Sequence, residues 1–145
     1  AVENAEEIIK KHYDKIDGIV VGRTDLSLSM GLTKKDVDSK EVMEQVEKTL
    51  RIAKSFNLTT TMGGSVNLNS IPCIIKMCRK KLLDRFETRK VISEASLDAE
   101  KLKKILEESF QIETKFLNKT LINYSNGLQS AKTRINSIKE RGKQK

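Results

Sequence analysis

Histidine, cysteine, proline and aromatic side chains are all scarce in this chain, and each scarcity removes a class of function. One His and two Cys cannot supply the ligand set of a Cys/His zinc site. Cys73 and Cys78 stand five positions apart on an expected helix, about 500° of rotation, so they do not share a face. They read as reduced, packed thiols of a cytoplasmic protein. Pro72 is the only proline and tryptophan is absent. No apolar run approaches the roughly 18 residues of a membrane span. The acidic, amphipathic start, Ala1 to Glu7, is unlike a signal peptide. It also lacks an initiator Met, which reads as a processed chain or part of a longer one. P-loop, dinucleotide-binding and Ser-elbow patterns are missing as well.

What is present is enough for about one ordinary domain: 145 residues, 37% hydrophobic and 33% charged. A chain of that size buries a real core. Its net charge of +8 raises nucleic acid as a partner, but the pattern does not support it. The densest basic run, Lys76, Arg79, Lys80 and Lys81, suits the C-terminal end of a helix, where the dipole favours cations. Aromatic platforms and a helix-turn-helix pattern are lacking, so nucleic acid is not expected.

Along the first half, helical and extended patterns alternate. Positions 4–15 are helical, with Ile8, Ile9, His12 and Tyr13 grouped on one side. Asp17-Gly18 ends that helix, and Ile19-Val20-Val21 is a short buried strand. Positions 22–31 read as a loop rich in Gly, Ser and Thr. Ser39 caps a helix with apolar Val42, Val46, Leu50 and Ala53. Leu58 to Met62 forms the next strand, ending in Gly63-Gly64, a close backbone approach. Asn69 or Ser70 caps a helix over 72–79, with Pro72 in its first turn. Leu82 begins a third extended stretch running to Ile92, on which Glu87 and Arg89 alternate. This is the grammar of a parallel α/β sheet. A whole (β/α)₈ barrel typically needs about 250 residues, so the chain has room for about three βα units. The fold class expected is α/β, a partial (β/α)₈ barrel segment over 1–95, followed by a helical tail over 96–145 with Ser96 as its cap.

The chemically informative segment is Gly22-Arg23-Thr24-Asp25-Leu26-Ser27, delivered by a buried strand. Ligands of α/β folds collect beyond the carboxyl ends of strands, where Asp25 falls. Gly22 permits close approach to the backbone. A carboxylate there holds a hard divalent ion; equally, Asp25 caps a following helical turn. Arg23 either meets an acidic substrate or points outward.

This segment resembles the Gly-Pro-x-Asp-Leu-Ser signature of the HpcH/HpaI aldolase and citrate lyase family, of the phosphoenolpyruvate/pyruvate barrel superfamily. Gly63-Gly64-Ser65-Val66 continues the resemblance, as does Leu83 to Ile92, which is similar to the last barrel strand in one branch. Arg23 replaces the commoner Pro. The resemblance implies that Asp25 is one of two acidic ligands to Mg²⁺ or Mn²⁺, with the second acid and a carbonyl-polarising arginine expected upstream. It places the substrate carboxylate beside Gly22 and the backbone amides of Arg23 and Thr24. It further implies C–C cleavage of a ketoacid or acyl-CoA by way of a metal-stabilised enolate, and a chain that is inactive alone. The alternative is a non-catalytic α/β module that assembles through its tail.

In that tail Leu117, Leu121, Tyr124, Leu128, Ala131, Ile135 and Ile138 recur at alternating steps of four and three, the spacing of a heptad seam. Leu102, Ile105, Leu106 and Phe110 form an earlier stripe. Gly127 either breaks the helix into a hairpin or leaves the seam in phase. Burial against another subunit, as a homo-oligomer, is the expectation; packing on the chain's own core is one rival, and the superfamily resemblance implies another, exchange of the final helix with a neighbouring subunit.

Overall fold

The computed structural model describes residues 4–141. The chain divides into two compact units, Ala1–Ser109 and Phe110–Lys145.

In the first unit, α1 (Ala5–His12) ends in a 3₁₀ turn over Tyr13–Lys15 and leads into β1 (Gly18–Gly22). Next come α2 (Arg23–Ser29), α3 (Lys40–Ser55), β2 (Thr59–Gly63), α4 (Ile71–Arg79), β3 (Arg85–Glu87) and β4 (Ile92–Glu94). The sheet order is β1-β2-β3-β4. The first three strands are parallel and neighbours in sequence order, as successive βα units are. β4 is antiparallel to β3, so the stretch expected to run to Ile92 instead turns back on itself, closed by the Thr88 amide on the Val91 carbonyl at 2.8 Å. α2 is a second departure, because those residues read as loop. Seven residues are too few to display a helical period, yet Leu26 and Ser27 are buried beneath it.

One face of the sheet is covered by helices. Ile19 packs on a cluster of Ile9, Ala53 and Leu58, and Val42, Val46, Leu50, Met62, Ile74, Met77 and Phe86 are buried as well. α3 delivers its stripe as the spacing predicts, and the Ser39 side chain caps it by accepting from the Val42 amide at 3.3 Å. Strand alternation puts Val20, Gly22, Gly63, Arg85 and Glu87 on the opposite face, where Val20 is 57% exposed and Ile92, paired with Glu87, is 64% exposed.

Several helix ends differ from expectation. Asn67 caps the 3₁₀ turn Leu68–Ser70 that precedes α4, and the Ser70 side chain does not cap α4. The final helix, α5 (Ala99–Arg141), is capped by Asp98, whose carboxylate accepts from the Lys101 amide at 3.0 Å. Ser96 instead accepts from the Asp98 amide. Leu102, Leu106 and Ser109 of α5 are buried within the first unit.

The second unit is the remainder of α5. It runs unbroken through Gly127, so no hairpin forms there. The seam residues lie exposed along it, from 51% for Leu117 and Ile135 to 74% for Tyr124. Among the described residues no helix is long and apolar enough to cross a membrane.

Candidate functional site at the carboxyl ends of β1 and β2

β1 and β2 end side by side, with Gly22 paired to Gly63. The segments leaving the two strands are held together by one side chain, Arg23. It is fully buried, at 0% exposure, an extreme value for an arginine. Its Nε donates to the Gly63 carbonyl at 3.2 Å. Nη2 donates to the Gly64 carbonyl at 3.1 Å and the Ser70 hydroxyl at 3.2 Å, and Nη1 pairs with Asp38. Ser70 in turn donates to Asp38 at 3.0 Å. Burial pushes the guanidinium pKa down and Asp38 opposes that shift. The side chain expected either to meet substrate or to point outward does neither. It is spent on fastening the start of α2 to the end of β2.

Gly64 shows how tight that junction is. It adopts φ +81°, and a Cβ there would lie 2.5 Å from the Thr24 amide nitrogen and 2.6 Å from that of Arg23. The close approach expected at Gly63-Gly64 is therefore real, and it is made to the first turn of α2. Above it the Thr24 and Ser65 hydroxyls share a hydrogen bond of 2.9 Å.

Asp25 is in the first turn of α2, not at the cap position, which Gly22 occupies. It is exposed, and among the described residues its carboxylate makes no hydrogen bond or ion pair. One carboxylate oxygen lies 3.7 Å from where a Cβ on Gly22 would be, so it sits at the strand end itself. An unpaired carboxylate at that edge is a hard oxygen donor of the right kind for Mg²⁺ or Mn²⁺. It is one corner of such a site, since among the described residues no three His, Cys, Asp or Glu side chains gather around a common point.

Glu87, expected to alternate with Arg89 on the third extended stretch, reaches the same strand edge. Its side chain lies over Gly63, where a Cβ would collide with the Glu87 carboxylate. The adjacent glycines of β1 and β2 thus each have a carboxylate close to them on the open face. Arg89 lies past the end of β3. Cys73 and Cys78 are unpaired and half-buried, and burial raises both thiol pKa values, which suits packed thiols and not nucleophiles. His12 is half-buried on α1.

Residues 1–69 match the HpcH/HpaI aldolase/citrate lyase family model. The match takes in the Asp25 signature and Gly63-Gly64-Ser65-Val66, and the family resemblance read from those residues holds there. The third motif, Leu83 to Ile92, lies beyond it. No curated protein and no solved structure matches the chain.

Proposed function

We propose that this chain is one wall of a divalent-metal-dependent C–C lyase acting on a ketoacid or acyl-CoA. The observation that carries the proposal is the position of Asp25: in the family-matched segment, exposed, and set at the carboxyl edge of parallel strands against Gly22. Active sites of barrel enzymes collect at that edge.

In this reading Asp25 holds one side of a Mg²⁺ or Mn²⁺ ion. When bound, such an ion supplies charge stabilisation for an enolate. Gly22 leaves room for the substrate, and the first-turn amides at Arg23 and Thr24, which have no acceptor within the helix, lie beside its carboxylate. Arg23 contributes through its backbone position, because its side chain is already bonded. The remaining strands of the barrel would cover the open face that bears Val20 and bring the second acid.

The proposal predicts no metal-dependent cleavage of short ketoacid aldols or of citryl- or malyl-CoA by the 145-residue chain alone. Turnover should appear when the chain is joined to a barrel segment carrying the second acid, and should be lost in Asp25→Asn. Turnover by the isolated chain would contradict the partial-site reading. Turnover indifferent to Asp25→Asn would contradict the site. A second reading, a non-catalytic module assembled through its tail, draws on the exposed seam of α5.

A further inference from the structure

The tail carries a geometric requirement of its own, independent of whether the sheet serves a lyase. From Phe110 to Ile138 the apolar positions Phe110, Leu117, Leu121, Tyr124, Leu128, Ile135 and Ile138 keep heptad phase with Thr114 and Ala131. The helix is continuous across them. A seam of that spacing fits another helix, and Ile112, Phe116 and Ile122 lie exposed outside it. The residues flanking it decide which helix. On one flank are Glu113, Thr120, Gly127 and Arg134; on the other are Gln111, Asn118, Ser125 and Lys132.

We infer that the Phe110–Ile135 span of this helix pairs antiparallel with the same span of a second copy, Glu113 of each chain facing Arg134 of the other. In antiparallel pairs like flanks face each other. With the two-fold axis between Ile122 and Asn123, Leu117 meets Leu128, Leu121 meets Tyr124, Phe110 meets Ile135 and the small Thr114 meets Ala131. The same register places Glu113 opposite Arg134 twice and Thr120 opposite Gly127 twice. Gln111 then faces Lys132, and Asn118 faces Ser125. Glu113 is the only acid between 110 and 138, against Lys115, Lys119, Lys132 and Arg134. Lys115 and Lys119 point away from the seam, so between 110 and 135 the pairing brings no like charges together. A parallel pair in register has no opposite-charge flank at all. It sets Glu113 against Asn118 and Lys132 against Gly127. Orientation is thus written in two residues about 30 Å apart along the helix at 1.5 Å per residue. Gly127 has nothing within 4 Å of where its Cβ would be, leaving its flank clear for Thr120 of the partner.

A charge-exchange cycle read by sedimentation equilibrium of the full 145-residue chain tests this. The chain should be dimeric, and Leu121→Asp should make it monomeric with its helix content in the first unit retained. Glu113→Lys and Arg134→Glu should each weaken dimerisation about tenfold, since each reverses two symmetry-related pairs. Combined in one chain they should restore it. A monomeric wild-type chain at high concentration would overturn the inference. So would a double variant no tighter than the single ones, which indicates a parallel pair. A monomer that instead sediments with vesicles rich in phosphatidylserine would make the tail a lipid-binding helix and overturn it too.

Discussion

Arg23→Met keeps most of the side-chain volume and deletes every donor. Four acceptors then lose their donor: the Gly63 and Gly64 carbonyls, the Ser70 hydroxyl and one oxygen of Asp38. Removing one partner of a buried pair typically costs about 3–5 kcal/mol. The Asp38 side chain is 25% exposed and keeps the Ser70 hydroxyl, so part of its charge is rehydrated. The low end, about 3 kcal/mol, is therefore expected. For a folding unit near 100 residues that lowers Tm by roughly 12–20 °C. Calorimetry at fixed protein concentration measures it, since the helical tail would dominate far-UV dichroism. Arg23→Lys should recover only part of the loss, because an ammonium is a point charge and cannot span the carbonyls and the carboxylate together. Arg23→Pro separates backbone from side chain. Arg23 is the first residue of α2, a position that accepts proline, so this variant should lose about as much as Arg23→Met and no more. If Arg23→Met fell within about 0.5 kcal/mol of wild type, an ordinary surface value, the fastening role would be wrong.

Gly64→Ala should destabilise by about 2 kcal/mol or more, since both the positive φ and the collision with the Thr24 and Arg23 amides oppose it; urea unfolding with an unchanged midpoint would refute the close approach. Asp84 accepts from Lys54 at 2.5 Å and from the Thr60 amide at 2.8 Å. Burial pushes its carboxyl up, but these bonds outweigh burial and hold it below the usual range. Its contribution is thus present above the unfolded carboxylate pKa, about 3.9, and is lost as pH falls through the lower folded value. Asp84→Asn should cost about 1 kcal/mol at neutral pH, a modest figure because the carboxylate side chain is 40% exposed. The gap from wild type should close below about pH 4, and a gap that widened in acid would contradict the sign.

The sequence alone revealed those parts of the fold whose signals are local and repeated. The stripe of α3, the Ser39 cap and the glycine pair after β2 stand where pattern places them, as does the strand β1, although Val20, expected to be buried in it, is exposed. Short elements escaped. α2 and β4 have too few residues for a period, and Asp98, two residues past the expected Ser96, took the cap. At the site, the strand-end position of Asp25 was legible because Gly22 and Asp25 are near in sequence. The burial of Arg23 was not: an arginine in a polar segment reads as exposed, and its acceptors lie up to 47 positions away. Glu87 escaped for the same reason, its place over Gly63 depending on the register of two strands.

The metal role of Asp25 is most directly tested by titrating Mn²⁺ into the isotopically labelled 145-residue chain and following amide resonances. A partial site should bind only in the millimolar range, where few preplaced oxygens leave affinity low, and paramagnetic broadening registers even that. Broadening should begin at Gly22 to Leu26 and at Gly63-Gly64, and should vanish from them in Asp25→Asn while the rest of the spectrum is unchanged. Broadening centred on other carboxylates, and indifferent to Asp25→Asn, would contradict the account.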